Sequence, residues 1–413
     1  METPVATPSL PVAAPAEVGF CTQRTARLLA VLQSEVDRKR LPGAVVLVAR
    51  HGKVALFESL GTQDPGTNQP MATDSIFRIY SMTKPIVSVA IMMLMEQGLV
   101  LLSDPVAKYL PEFSAQQVAV SGGVDQPLTV RPVSRDATVQ DLLRHTAGLT
   151  YEFMGSLPVH SAYAKAYIGS RARSNAEFST ALAALPLLAD PGSMWEYSRA
   201  TDVLGRLVEV LSGQILGQFL KEKILTPLGM HETAFSVPSA KHGRIAEPYA
   251  HDPDGGAPMA MIDLRCEAAL ASGGGGLAST AMDYARFLQF MLNRGTLDGV
   301  RLLAPHTVDF MTADHLGEIP VNPLGAAPGL LPPGHGFGLG FAVRTAAGLA
   351  AVPGSVGLYY WGGIAGTTFF VDPAQNMFAL MMIQAPNQRE YYRPLFRNLV
   401  YSAMVDAPNF AKA

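Results

Sequence analysis

The sequence predicts an α/β (α+β) fold in which one antiparallel sheet, flanked by helices, is built from both chain ends around an inserted, mostly helical domain. Three observations carry that expectation. Two β-branched runs near the N-terminus, Ala44 to Ala49 and Val54 to Ser59, are separated by His51-Gly52 in a hairpin pattern. Three strand-like runs near the C-terminus cover Gly336 to Arg344, Leu358 to Val371 and Met377 to Ile383. Between the two groups the chain shows helical periodicity and long loops, so the end segments must share one sheet. The expected division is a sheet domain from residues 1–80 and 330–413 and a helical domain from 81–329, with the active site at their interface.

The elements follow in order. Met1 to Val18 is rich in Ala and Pro and lacks both a basic start and an unbroken apolar stretch. It is expected to be a loose arm and not a signal peptide. Thr22 to Arg40 carries Ala26, Leu29, Leu32 and Val36 at helical spacing. Pro85 to Gly98 is apolar nearly all round, the pattern of a buried helix. It is too short to cross a bilayer, which needs about 20 apolar residues. Thr138-Val139-Gln140-Asp141 has the pattern of a capped helix start, and Asp202 to Leu211 and Thr280 to Leu292 read as helices. Asp372-Pro373 marks a turn, and Tyr391 to Val405 closes the chain as a helix.

Composition narrows the functional classes. The chain has 413 residues, 48% of them hydrophobic and 16% charged, enough to bury a large core. Its formal charge is −3 with no basic run, so neither nucleic acid nor an anionic membrane is an expected partner. Two cysteines, Cys21 and Cys266, cannot form a disulfide scaffold or a cysteine-based zinc site. The nine histidines lack ligand spacing. No metal or cofactor is expected, and a cytoplasmic location is. Oligomeric state is left open.

Ser81-Met82-Thr83-Lys84 is the chain's S-x-x-K sequence, placed where the buried helix opens. Three residues apart on a helix, the two side chains share a face. A serine hydroxyl needs a base to become a nucleophile, and a desolvated lysine with a lowered pKa can serve. The helix start adds free N–H groups suited to a developing oxyanion. Taken alone, the same residues also fit a capping serine and an exposed lysine. Neither G-x-S-x-G, H-E-x-x-H nor a Walker A sequence occurs. Gly273 to Gly276 precedes a helix but lacks the strand of a phosphate loop, and reads as a loop at a domain edge.

Further pieces stand in a definite order: His145-Thr146-Ala147-Gly148-Leu149, then Trp195-Glu196-Tyr197-Ser198 after Pro191-Gly192, then Trp361-Gly362-Gly363 before Ile364. Leu41-Pro42-Gly43-Ala44, Pro227-Leu228-Gly229-Met230 and Gly274 to Ser279 belong to the same pattern. The set resembles class C β-lactamases and penicillin-binding proteins, and most closely the family VIII carboxylesterases, from about Val18 to the C-terminus. The resemblance implies catalytic roles for Ser81, Lys84 and Tyr197, the tyrosine taking and returning the serine proton if a nearby cation lowers its pKa. It implies oxyanion donors at the backbone N–H groups of Ser81 and Ile364, and substrate contacts at Trp361, Gly362 and Gly363. It makes His145 part of the loop architecture and not a general base. By themselves, Tyr197 also fits a buried tyrosine and Trp361 a core aromatic.

Two departures bear on specificity. The lactamase K-T-G element is here Trp361-Gly362-Gly363, the form the esterase branch shows, and Arg199 replaces the asparagine two residues after the tyrosine. Losing a lysine that holds a substrate carboxylate favours uncharged esters. Arg199 could reach the pocket or point to solvent. Glycines at 362 and 363 would let an edge strand approach the substrate. The expectation is a serine carboxylesterase for small, short-chain esters. The alternatives are a β-lactamase or D-peptidase, or an idle homologue acting as a scaffold. Pocket walls are expected from Tyr151 to Ser174 and His315 to His335.

Overall fold

Gly43–Arg50 reads GAVVLVAR, with no alternation of polar residues, the mark of a strand covered on both faces. In the computed structural model, which describes residues 7–120 and 127–405, all eight of its residues are buried. It lies inside an eight-stranded antiparallel sheet in the order His335–Phe337, Ala342–Arg344, Tyr359–Gly362, Thr368–Asp372, Met377–Ile383, Gly43–Arg50, Lys53–Asp64 and Gln69–Pro70. Both chain ends thus meet where Gly43–Arg50 pairs with Met377–Ile383, and the expected fold class holds.

The two-residue period of the strands divides the core. Val45, Leu47 and Ala49, with Phe378, Leu380 and Met382, face a cluster shared with Ile86, Val89 and Met93 of the Thr83–Glu96 helix. Ala44, Val46 and Val48, with Ala379, Met381 and Ile383, face Leu28 and Leu32 of the Thr22–Asp37 helix and Phe396 and Val400 of Arg389–Ala403. Every residue from Thr83 to Leu94 is buried, as its apolar circumference requires. This helix packs on Ala200–Ser212.

Three expectations are corrected. The Leu358–Val371 run is two strands, because Gly366 takes a φ of +108° and turns the chain back, with Gly363 N donating to Thr367 O at 2.8 Å. The Gly336–Arg344 run likewise folds over itself, with Gly338 N donating to Phe341 O at 2.8 Å. The arm is packed from residue 7 onward, residues 1–6 lying outside the described residues. Leu10 is buried, Val12 bridges Val54, Ala13 N donates to Val54 O at 3.0 Å and Thr7 Oγ1 donates to Asp283 Oδ1 at 2.5 Å. The prolines that hide any periodicity there also suit an extended path along a sheet edge.

Tyr359–Gly362 is not an outer strand. Tyr359 and Tyr360 pair on one side with Val343 and Ala342, but Trp361 and Gly362 extend past that neighbour and pair only with Phe369 and Thr368. Its end is therefore open on one side, and the cavity described below reaches it there.

Candidate active site

Ser81 lies in a single 3-10 turn, Tyr80–Met82, that runs into the Thr83–Glu96 helix. Tyr80 before it has a φ of +43°, a setting that costs a non-glycine residue roughly 1–3 kcal/mol and needs outside support. The glycine-rich loop and its flanks supply that support. Ile79 N donates to Leu277 O and Leu277 N to Thr83 Oγ1, both at 3.1 Å, and Ile262 N donates to the Tyr80 phenol at 2.9 Å.

Lys84 is 1% exposed, and its Nζ reaches Ser81 Oγ at 3.3 Å, Tyr151 Oη at 3.0 Å and Gly274 O at 2.5 Å. Burial pulls its pKa down to about 7; Asp202 opposes the fall and Arg199 adds to it. A neutral amine has two N–H groups and one electron pair. With the N–H groups given to Gly274 O and Tyr151 Oη, the pair is left for the Ser81 hydroxyl.

Tyr197 is buried beside them. Lys84 Nζ stands 4.6 Å from its ring centre, and its phenol accepts from Trp361 Nε1 at 3.2 Å. The expected lowering of its pKa by the cation is not found. Burial pushes the phenol well above its ordinary range, against its hydrogen bonds with Ser81 and Trp361. Near neutral pH, Lys84 is thus the group that can exchange a proton, and Tyr197 stays a neutral donor.

Trp361, Gly362 and Ile364 line a cavity of about 790 Å³ together with Ser81, Tyr197 and Arg199. Neither the Ser81 nor the Ile364 backbone N–H has an acceptor within the described residues, which leaves both available to a ligand oxygen. Gly363 is not on the cavity surface. A Cβ there would lie 2.5 Å from Ile79 O, so the glycine lets the strand end close against the segment leading to Ser81. Both expected wall loops contribute, through Tyr151 to Met154 and through Leu330 to His335, joined by Met259 to Ile262 and Ala350 to Val352.

Arg199 does not point to solvent. It is buried, pairs with Glu152 at 2.6 Å, lies 3.9 Å from Asp202 and stacks 4.7 Å over the Tyr151 ring. His145 backs Tyr197, with ring centres 4.9 Å apart and Nδ1 3.1 Å from Ser198 Oγ. Burial, then Lys84, holds it neutral. Three participants escaped the sequence reading as site residues: Tyr151 and Gly274, which take the lysine's N–H groups, and Asp202, which accepts from Gly274 N at 2.9 Å and fixes that loop. No group of three His, Cys, Asp or Glu among the described residues could hold a metal ion.

A pH dependence follows from the Lys84 value. Only the deprotonated amine has a free electron pair, so kcat/KM on an aryl butyrate is expected to fall about tenfold per pH unit below about pH 7 and to level off above it. A profile that is flat from pH 5 to 8 would remove the lysine from proton transfer.

A nucleophile-ready serine beside a desolvated lysine, at a helix start under an open strand end, is the arrangement of a serine hydrolase. The chain belongs to the Beta-lactamase family, whose profile matches residues 28–401. It is 36% identical over 367 residues to Protein Rv1367c of Mycobacterium tuberculosis, covering 86% of this chain and 88% of that protein. It is 34% identical over 382 residues to Esterase EstB of Burkholderia gladioli, covering 86% and 89%. Among solved structures, EstCE1, a hydrolase with promiscuous acyltransferase activity, matches with a TM-score of 0.77 at 28% identity, covering 92% of this chain and 98% of that one. The resemblance read from the motifs therefore holds. Among the described residues, no single helix is long and apolar enough to cross a membrane.

Proposed function

We propose that this protein is a carboxylesterase that works through an acyl-enzyme on Ser81. Neutral Lys84 takes the serine proton as Oγ attacks the ester carbonyl. The oxyanion forms two hydrogen bonds, to the N–H groups of Ser81 and Ile364. The carbon–oxygen bond then breaks, the alcohol oxygen takes a proton from Tyr197, and the proton held by Lys84 restores the pair. Water, activated the same way, releases the acid. One observation carries this reading: the Lys84 amine sits 3.3 Å from Ser81 Oγ with its other hydrogen bonds already assigned and its pKa lowered to about 7. The likeness to Esterase EstB supports ester cleavage over lactam cleavage.

The acyl groups expected to turn over are short, about two to six carbons. A cavity of about 790 Å³ is far larger than such a group, so the rest of it receives the other arm of the ester. An alcohol in place of water at the second step would make the enzyme an acyltransferase, a reading favoured by the promiscuous acyltransferase activity of EstCE1. A fluorinated alkyl phosphonate, which traps active serines, tests the nucleophile. Intact mass should rise by one phosphonyl group, and peptide mapping should find it on Ser81. Labelling elsewhere, or none on folded protein, would reject the mechanism.

A further inference from the structure

The cavity wall carries a charge that ester cleavage at Ser81 does not use. Five arginines line it against two glutamates, in a chain of net charge −3. Four of the five are engaged. Arg171 donates to Asp263 O at 3.0 Å, Arg199 pairs with Glu152, and Arg389 pairs with Glu390 at 3.1 Å. Arg393 donates to Gly363 O at 2.6 Å and lies 3.7 Å from Glu390.

Arg397 differs. It is 8% exposed, yet makes no hydrogen bond or ion pair within the described residues. Its guanidinium carbon lies over two aromatic rings, 4.5 Å from the Tyr360 ring centre and 5.3 Å from that of Phe370. Asp372, the acid whose field acts on it, is beyond ion-pair distance and accepts instead from Tyr401 Oη, Ser355 N and Gln375 N. A desolvated cation without a protein acceptor is unfavourable, and Arg397 lines the cavity. Arg389, Arg393 and Arg397 are spaced four residues apart on the Arg389–Ala403 helix and so share a face. Arg397 therefore stands one turn, ~6 Å, along the wall from the arginine that touches Gly363.

We propose that Arg397 receives a carboxylate, so that the preferred substrates are esters bearing a carboxylate several atoms from the scissile bond, such as half-esters of dicarboxylic acids. This rests on the esterase reading of Ser81. A carboxylate is favoured among anions because a guanidinium packed against aromatic rings presents a planar fork, which a two-oxygen anion matches with paired hydrogen bonds.

The test compares nitrophenyl half-esters of four- to eight-carbon dicarboxylic acids with nitrophenyl alkanoates of equal length. In the wild-type enzyme, kcat/KM should favour the carboxylate series by about tenfold or more at its best length, chiefly through KM. Arg397→Met should erase that preference and leave butyrate turnover within about twofold, and Arg397→Lys should keep part of it. No preference at any length, or an equal loss on both series in Arg397→Met, overturns the proposal. Calorimetric binding of free adipate or suberate separates it from the esterase reading. If no ester is cleaved, wild-type protein should still bind the diacid more tightly than Arg397→Met. Equal binding by the two would overturn the anion site as well.

Discussion

On an alkyl ester such as ethyl butyrate, Ser81→Ala is expected to reduce turnover to background. Lys84→Ala and Tyr197→Phe should each lower kcat by about 10³–10⁴, and the double variant by little more than either. Lys84 supplies the amine electron pair that can take the Ser81 proton, and its other contacts, Tyr151 Oη and Gly274 O, hold it there. Tyr197 keeps its proton because burial disfavours the phenolate, so it can donate to an alkoxide that would otherwise leave unprotonated. Once the lysine cannot take the serine proton, the tyrosine has nothing to return, and their contributions collapse together. A nitrophenolate leaves without protonation, so Tyr197→Phe should cost far less on nitrophenyl butyrate than on ethyl butyrate, whereas Lys84→Ala should cost much on both. Thermal melting by circular dichroism checks that the variants fold. Losses that simply multiply in the double variant, or a Tyr197→Phe defect indifferent to the leaving group, would reject the shared proton path.

The architecture was legible where the physics is local. Gly43–Arg50 and Met377–Ile383 announce burial on both faces through unbroken apolar runs, and the Thr83–Glu96 helix does so through its apolar circumference. His51-Gly52 marks its hairpin because both residues must adopt positive φ, 54° and 75°. The serine and lysine were legible for the same reason, since three positions along a 3-10 turn that runs into a helix fix their neighbourhood. What the sequence withheld depends on distant partners. Gly274 O lies 190 residues from the lysine it holds. Whether Arg199 meets solvent or Glu152 is decided by a loop 47 residues away. The direction of the Tyr197 shift turned on a competition between desolvation and a cation, and only the packing of Trp361, His145 and Tyr151 around the ring shows that desolvation wins. The packed arm at residues 7–18 was hidden because prolines interrupt every period by which Leu10 and Val12 could have been read.

A cephalosporin should be cleaved at its lactam far more slowly than a butyrate aryl ester. The lactam's carboxylate is fixed a few atoms from the reacting carbonyl by a fused ring, so it must lie near Trp361 once that carbonyl meets the N–H groups of Ser81 and Ile364. The residue there is an indole whose N–H is already given to Tyr197. Arg199 is bound to Glu152 and close to Asp202, and Arg393 is bound to Gly363 O and close to Glu390, so neither brings an uncompensated charge. Arg397 is free of such partners but stands a helical turn farther on, where a long flexible ester can extend and a fused ring cannot. A buried carboxylate missing its partner costs roughly 3–5 kcal/mol, which is about 10²–10⁴ in kcat/KM. On the proposed mechanism either substrate would acylate Ser81, so slow lactam hydrolysis fits this account. The measurement is kcat/KM on nitrophenyl butyrate and on a chromogenic cephalosporin in one buffer. Efficiency on the cephalosporin equal to or above that on the ester would mean that Arg199 or Arg393 releases its glutamate to hold the lactam carboxylate, and that the site is a lactamase.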